Sequence, residues 1–206
     1  DWSSDVCSSD LSVSASAALT WWTSIQADLI DGYGFPTTSN IGDGRVLSLG
    51  LAVRWRPIRG LDLDGSLYLN GSKVTDPSQA VFPLAEGPSD FNRLPNVADA
   101  SGRVGASYTA SIGEDAHFSA SSYLRYVGRS TLGIGPVLGR PQGDYVDTGL
   151  ELRLERGRRA LTLSGTNLLD TRGNRFALGT PLLIRDENQI TPLRPRTVRL
   201  GIEIGF

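Results

Sequence analysis

The chain ends with the stretch Arg194-Pro195-Arg196-Thr197-Val198-Arg199-Leu200-Gly201-Ile202-Glu203-Ile204-Gly205-Phe206. From Val198 onward, large apolar residues occupy every second position, and polar residues or glycines fill the positions between them. A period of two predicts a strand with one apolar and one polar face. Soluble proteins seldom end in such a strand, because its exposed apolar edge promotes aggregation. An apolar face against hydrocarbon, with the terminal aromatic Phe206 at the membrane surface, accounts for both features.

The same alternation recurs upstream and predicts seven earlier strands. We place them at about Leu11–Leu29, Leu47–Trp55, Leu61–Asn70, Ala100–Ile112, Phe118–Tyr126, Val146–Glu155 and Ala160–Leu168. In the first strand, the odd-numbered apolar residues from Val13 through Ile25 and Ala27 to Leu29 are assigned to one face. Apolar residues do not recur at helical spacing over any useful length. The chain is therefore predicted to be all-β.

The predicted connections alternate in length along the chain. Short turns follow the second, fourth and sixth strands, and long polar loops follow the first, third, fifth and seventh. The long loops are Tyr33–Gly44, Gly71–Ala98, Gly128–Gly143 and Leu169–Arg194. Outer-membrane barrels have short turns on one side and long loops on the other, whereas the Greek-key crossings of a sandwich do not sort loops this way. We therefore predict an antiparallel, up-and-down transmembrane β-barrel segment of about eight strands.

Aromatic residues mark the predicted short-turn end of the apolar face. They are Trp55, Tyr108, Phe118 and Phe206. Barrels place rings of aromatic side chains where the bilayer meets water, so these residues predict an aromatic girdle on the side where the chain ends.

Composition sets further bounds on the 206-residue chain. It contains no apolar window long enough for a transmembrane helix. The formal net charge is −2 and the basic residues are scattered, which argues against nucleic acid as a partner. Residues 1–11 resemble a translated sequencing adapter and include Cys7, the only cysteine. We treat them as a non-native tail and assign residues 12–206 to the barrel.

Residues with catalytic or metal-binding potential are sparse. His117 is the only histidine, and no cluster has the spacing of zinc ligands. No hydrolase elbow motif accompanies His117. The Gly133–Gly139 segment is superficially similar to a phosphate-binding loop, but Pro136 interrupts it and no helix follows. The sequence predicts no cofactor, no bound metal and no enzymatic activity.

The polar face carries charges that would line a barrel lumen. Four arginines on it are candidates for a ligand path: Arg54, Arg103, Arg125 and Arg153. The simpler interpretation is that these arginines pair with carboxylates of the same face, as polar lumens commonly do. The long loops are the stronger candidates for ligand recognition, because binding residues concentrate on loops that a rigid scaffold holds.

Several short motifs resemble those of TonB-dependent outer-membrane receptors. They are Leu94-Pro95-Asn96-Val97, Tyr126-Val127-Gly128, Asn167-Leu168-Leu169-Asp170 and the Pro195–Gly201 segment. The last strand is also similar to the C-terminal signal that the bacterial barrel-assembly machinery recognises. The residues that match this signal are Arg199, Gly201, Ile204 and Phe206.

The resemblance implies a location in the outer membrane of a Gram-negative cell and a barrel of about 22 strands that encloses an N-terminal plug. Such receptors import a scarce small molecule, such as an iron–siderophore complex, a vitamin or a glycan, with energy from a TonB-type inner-membrane partner. The present chain would supply about eight of those strands. It would lack the plug and the segment that the energy transducer binds, so we expect no transport by this chain alone.

Two alternatives remain open at this stage. In a complete small eight-stranded barrel, structural or enzymatic, the first strand would pair with the last. In a soluble all-β binding module, the leucine-rich faces of two sheets would pack against each other. We predict instead an open, curved antiparallel sheet whose two edge strands are unpaired.

Overall fold

The computed structural model describes residues 10–30, 35–77, 93–133, 141–177 and 190–205. These residues form strands and turns, and none of them forms a helix that could cross a membrane. The strands are β1 (Asp10–Ile30), β2 (Pro36–Ile58), β3 (Leu61–Pro77), β4 (Ala100–Ile112), β5 (Ala116–Val127), β6 (Ser130–Thr131), β7 (Pro141–Gln142), β8 (Tyr145–Arg156), β9 (Arg159–Thr166), β10 (Asn174–Ala177), β11 (Ile190–Pro192) and β12 (Thr197–Ile204). Cys7, Phe206 and residues 134–139 lie outside the described residues.

Eight strands form one antiparallel sheet in the order β1-β2-β3-β4-β5-β8-β9-β12. Each strand pairs with the next long strand along the chain, which is an up-and-down meander, while β6–β7 and β10–β11 are small hairpins within the loops. Strands β1 and β12 form the two edges and do not pair with each other within the described residues. The open antiparallel sheet is confirmed, and closure into a complete eight-stranded barrel does not occur.

The register places the leucine-rich positions of successive strands on one face. Leu152 pairs with Leu163 and Leu163 with Leu200, so these side chains form a continuous apolar row across three strands. We call this surface the outward face and the opposite one the inner face. No second sheet covers the outward face within the described residues, and Leu200 retains 69 % of its accessible surface. The two-sheet sandwich is therefore wrong for this chain, because the apolar faces do not pack against each other.

A β-bulge reverses the faces of β1 near its end. The register shifts between Trp22 and Ile25, and Ser24 has a left-handed backbone with φ of 54°. The Ser24 N–H donates to Asp43 Oδ1 at 2.8 Å. Because the bulge inserts an unpaired residue, the side chains beyond it exchange faces. The assignment of Ile25 and Ala27 to the same face as Val13 is therefore wrong; both lie on the inner face.

The reversed segment contributes to a small buried core at the long-loop end of the inner face. Ile41, Val74 and Leu94 are almost completely buried, and Ile25 and Ala27 pack against them together with Val46 and Val97. Residues 36–44 pair with β1, so the prediction of a loop over Tyr33–Gly44 is wrong for this part. Likewise, β3 continues to Pro77, beyond the predicted loop start at Gly71. Pairing and this core, rather than local apolar alternation, stabilise the extensions.

The three short turns and the end of β12 lie at the same end of the sheet. Gly60, Gly113 and Gly157 adopt positive φ in these turns, a backbone conformation that favours glycine. The Gly205 N–H donates to the Arg158 carbonyl at 2.8 Å, which holds the chain end beside the third turn. The prediction that short turns alternate with longer connections is confirmed for the second, fourth and sixth predicted strands.

Aromatic side chains lie near both ends of the outward face. Trp55, Tyr108 and Phe118 lie near the short turns, as predicted. Trp21 lies on the same face, ten residues along β1 from Leu11, the partner of Trp55. At about 3.3 Å per residue and a tilt of about 45°, this separation corresponds to roughly 23 Å of height, close to the apolar band of a barrel. The bulge of β1 begins beyond Trp22, at the end of this span.

Candidate functional site

The inner face carries all four arginines that were candidates for a ligand path, but they do not form one cluster. Arg103 and Arg125 lie directly opposite each other on β4 and β5, and Arg125 lies opposite Asp147 of β8 on its other side. Arg54 lies opposite Asp64. Arg153 is near the short-turn end of β8. Arg54 and Arg153 therefore lie close to the short turns, whereas Arg103 and Arg125 lie farther from them.

Arg153 is committed to structural contacts. Its Nη1 and Nη2 donate to the two carboxylate oxygens of Glu203 at 2.9 and 2.8 Å, and its Nε donates to Glu155 at 2.7 Å. Nη1 also donates to Thr162 Oγ1 at 3.2 Å. The bidentate pair with Glu203 joins β8 to β12 across the intervening β9, and such paired geometry is the strong form of a guanidinium–carboxylate contact. Arg153 therefore fixes the last strand and is a poor candidate for ligand binding.

Arg103 belongs to a second polar group on the inner face, farther from the short turns. Its Nη1 donates to Asp64 Oδ2 at 2.6 Å, and its Cζ lies 5.6 Å from the centre of the Tyr123 ring. The Tyr123 hydroxyl lies 3.5 Å from Asp147 Oδ2. A cation over an aromatic face is attracted by the ring quadrupole. The Asp64 carboxylate and the Tyr123 ring therefore both hold the Arg103 guanidinium in place.

Gly149 forms the floor beneath the Tyr123 ring. A Cβ atom at Gly149 would lie 2.3 Å from Tyr123 Cε1. We expect Gly149→Ala to lower the free energy of unfolding by about 1–3 kcal/mol. The added methyl group would overlap the Tyr123 ring, and moving either the ring or the strand backbone costs energy. The measurement is the urea midpoint of the purified protein in detergent micelles.

Gly71→Ala is the matched control, since Gly71 also lies within a strand and no atom approaches its added Cβ within 4 Å. This substitution should be neutral or stabilise by about 0.5–1 kcal/mol, the usual gain when alanine replaces glycine within a strand. Equal midpoints for the two variants would contradict the packing of the ring on Gly149.

Arg54 and Arg125 are the two candidates that remain available. Within the described ranges, neither side chain forms an ion pair or a hydrogen bond. Asp64, opposite Arg54, is occupied by Arg103. Of the four predicted arginines, these two present guanidinium groups to the inner space, and the other two hold the wall together. Pairing accounts for Arg103 and Arg153, as the simpler interpretation expected.

A serine–histidine contact lies near the short turns and was missed at the sequence level. His117 Nδ1 lies 3.3 Å from Ser111 Oγ, in a cleft of about 930 Å³ that Glu155 also lines. Glu155 lies opposite His117 in register. However, its carboxylate accepts from Arg153, and no hydrogen bond joins it to His117 in the part of the chain that is described. The pair therefore lacks the carboxylate that orients a catalytic imidazole. The positions of Ser111 and His117 on either side of a hairpin turn were the sequence signal for their contact.

Amide side chains tie three loops into one rim at the long-loop end. Asn96 donates its backbone N–H to the Thr131 carbonyl at 2.8 Å and accepts from Gln142 Nε2 at 2.8 Å. Asn174 donates to the Pro141 carbonyl at 3.3 Å and accepts from the Thr191 N–H at 3.1 Å. The described parts of the predicted binding loops therefore act as a connected structure. Asn96 was noted from the sequence as part of the Leu94–Val97 motif, but neither its contacts nor those of Asn174 were predicted, because they join residues far apart in the chain.

The rim also contains an ion pair whose carboxylate has a lowered pKa. Asp144 accepts from Arg129 Nε at 2.8 Å and from the Tyr126 hydroxyl at 3.1 Å. Both donors stabilise the carboxylate, so the pKa of Asp144 lies below its usual range, with the Arg129 hydrogen bond as the largest cause. An aspartate whose pKa is lower in the folded state stabilises the fold at pH values above the ordinary aspartate pKa. This contribution is lost as the pH falls through the lowered pKa.

Three of the four residues of the predicted assembly signal lie on β12. Arg199 and Gly201 are on its inner face, and Ile204 is on its outward face. Only one side of this strand pairs with β9, and no described strand pairs with its other side. Phe206 lies outside the described residues, so its position as an interfacial anchor stays a prediction. No group of three or more histidine, cysteine or acidic residues able to hold a metal ion occurs within the described ranges.

No family model matches the sequence, and no curated protein matches it. Solved structures of import proteins share its fold. The chain superposes on the ferric yersiniabactin uptake receptor FyuA of Yersinia pestis with a TM-score of 0.71 and 18 % identity, over 96 % of this chain and 28 % of that one. For the ferric-catecholate import receptor Fiu of E. coli K12, the TM-score is 0.66 at 19 % identity, over 95 % and 25 % of the two chains.

A copper transporter, OprC, is also similar, with a TM-score of 0.64 and 20 % identity over 95 % of this chain and 28 % of that chain. The chain therefore has the fold of a segment of these proteins and spans between a quarter and a third of their lengths.

Proposed function

We propose that this chain is a wall segment of an outer-membrane receptor that imports a small molecule with energy from a TonB-type partner. The observation that carries the proposal is the open eight-stranded meander, whose uncovered outward face is apolar and whose inner face is polar. This arrangement suits hydrocarbon on one side and a hydrated lumen on the other. The likeness to receptors and a transporter over nearly the whole chain supports the same role.

We further propose how the parts of the segment divide this role. The leucine rows contact lipid, the connected rim faces the exterior, and Arg54 and Arg125 are the wall residues available to an anionic ligand. The assembly machinery would bind β12 through Arg199, Gly201, Ile204 and Phe206. We assign residues 12–206 to the barrel segment as expected, and add Asp10 and Leu11 to it, because these two residues pair with Arg56 and Trp55. We assign the segment no catalytic activity.

Uptake by intact cells tests this proposal. The full-length receptor gene that contains this segment would be expressed in Gram-negative cells that lack their own siderophore receptors, and uptake of ⁵⁵Fe supplied as a ferric catecholate and of ⁶⁴Cu(II) would be measured. We expect uptake of one of these probes. Arg54→Gln with Arg125→Gln should lower uptake of the anionic ferric catecholate several-fold, because both available guanidinium groups are removed from the inner face.

Arg156→Gln with Arg159→Gln is the matched control, since these arginines lie opposite each other in the strand register, on the outward face near a short turn. It should leave uptake unchanged. Export to the membrane without uptake of either probe would overturn import of a ferric catecholate or of copper, and equal effects of the two double substitutions would overturn the role of Arg54 and Arg125.

A further inference from the structure

A groove interrupts the leucine rows of the outward face between β4, β5 and β8. It encloses about 510 Å³, and Val104, Leu124 and Leu150 line it. Its floor is formed by Ala106 and Ser122, which lie directly opposite each other. Because these two side chains are smaller than Val104, Leu124 and Leu150 around them, the surface is recessed between larger apolar groups.

The turn after β9 closes the groove at the long-loop end. Leu168 and Leu169 line the groove from this side. The Leu169 N–H donates to Thr148 Oγ1 at 3.4 Å, and a Cβ atom at Gly165 would lie 2.6 Å from Leu168 Cδ2. The turn therefore folds back over the outward face, and the groove ends beneath it.

Arginines gather beside this turn. The buried Asn167 side chain donates to the carbonyls of Thr171 and Arg194 at 3.1 and 2.9 Å, which brings Arg172 and Arg194 into the same region of the chain. Arg196 Nη1 lies 3.5 Å from the Leu168 carbonyl, and its Nη2 lies 3.7 Å from Asp170. Asp170 pairs with Arg196, and the side chains of Arg172 and Arg194 form no ion pair within the described residues.

The depth of these arginines fits a lipid headgroup. Tyr126, on the outward face, lies two residues beyond Leu124 of the groove wall and marks the membrane surface on the long-loop side. An apolar recess that ends in arginines at the depth of an interfacial tyrosine matches a molecule with an acyl chain and an anionic phosphate. Arginine binds phosphate through paired hydrogen bonds.

We propose that this groove is a binding site for a membrane lipid with a net negative phosphate headgroup. One acyl chain lies over Ala106 and Ser122, and the phosphate contacts Arg194 and Arg196. The site rests on the membrane-spanning role proposed above. It adds a selective lipid contact to the general contact that every outward leucine makes with hydrocarbon.

Native mass spectrometry of the full-length receptor in a nonionic detergent tests the site. Dioleoyl-phosphatidylglycerol or dioleoyl-phosphatidylcholine would be added stepwise, so the acyl chains are identical and only the headgroup charge differs. We expect about tenfold tighter binding of phosphatidylglycerol, because basic residues near a membrane surface attract anionic lipids. Arg194→Gln with Arg196→Gln should abolish this preference. Ala106→Leu, which fills the floor, should weaken the binding of both lipids.

The outward arginines at the opposite end supply the control. Arg156→Gln with Arg159→Gln should retain the preference, since these residues lie far from the groove. Equal binding of the two lipids by the unaltered protein, or equal losses in both arginine double variants, would overturn the lipid site. Unchanged lipid binding in Ala106→Leu would overturn the role of the groove. A protein that takes up its probe but shows no lipid preference refutes this site alone, whereas failure to insert refutes the proposed function.

Discussion

Replacing Asn167 by alanine is expected to lower the free energy of unfolding by about 3–5 kcal/mol. Asn167 is 3 % exposed and follows β9, where its side chain joins two distant parts of the chain. Its Nδ2 donates to the Thr171 and Arg194 carbonyls, and its Oδ1 accepts from the Thr171 N–H at 2.9 Å. Alanine would leave these backbone groups without their partner, and each unsatisfied buried group costs about 1–3 kcal/mol.

The backbone adds to the cost. Asn167 has φ of 49°, a left-handed conformation that asparagine tolerates and alanine does not, at about 1–2 kcal/mol. Asn167→Gly should therefore be less harmful than Asn167→Ala by about that amount, since glycine relieves the strain while the hydrogen bonds are still lost. Unfolding by urea in detergent micelles, followed by tryptophan fluorescence, measures both differences.

Asn70→Ala is the comparison that isolates the special role of Asn167. Asn70 donates one side-chain hydrogen bond, to the Ala98 carbonyl at 2.9 Å, and its backbone is that of an ordinary strand. Its replacement should cost about 1 kcal/mol. A loss in Asn167→Ala no larger than that in Asn70→Ala would show that the turn after β9 does not depend on the buried amide.

The strands within the apolar band were predictable because one physical constraint acts on all of them. Each residue there faces either outward or inward, so sequence alternation and the observed register agree from Ala100 to Arg156. The constraint is absent where strands extend beyond the band. Residues 36–44 contain mainly polar residues around Ile41, and their strand depends on pairing with β1 and on burial of that one side chain.

The bulge of β1 shows a limit of alternation as a guide. The sequence from Val13 to Ala27 keeps most of its apolar residues at odd positions, and Ala18 and Trp22 are the apolar residues at even positions. Nothing in that pattern reveals that the register shifts between Trp22 and Ile25. An added unpaired residue reverses the faces without changing the parity of the apolar positions in the sequence. The Ser24–Asp43 hydrogen bond that accompanies the bulge joins different strands, so local sequence could not predict it.

The face that carries the candidate arginines was predictable, but the partners of these arginines were not. Alternation placed Arg54, Arg103, Arg125 and Arg153 on the inner face correctly. Which of them remain available depends on partners one or two strands away, such as Glu203 for Arg153 and Asp64 for Arg103. These partners are far apart in the sequence and meet only through the register of the sheet.

Leu163→Arg is expected to destabilise the membrane-inserted protein by about 2–4 kcal/mol, the cost of an arginine on the lipid face near the bilayer midplane. Leu163 lies between Leu152 and Leu200 in the outward row of β8, β9 and β12. A guanidinium at this position would have to lie in hydrocarbon or draw water into it. Reversible unfolding of the full-length receptor from lipid vesicles, with guanidinium chloride as denaturant, measures the cost.

Ser164→Arg is the matched control, because Ser164 is the next residue of β9 and faces the interior. It lies opposite Glu151 on one side and Arg199 on the other, so a new guanidinium would gain a carboxylate neighbour in a polar surrounding. We expect a change within about 0.5 kcal/mol, as for ordinary surface substitutions. The two variants place the same side chain on adjacent residues, so strand propensity and net charge are the same in both, and the solvent that each face contacts sets the difference. If Ser164→Arg proved as costly as Leu163→Arg, the outward face could not be the face that contacts lipid. Both the proposed import role and the proposed lipid site would then be contradicted, because both assume this contact.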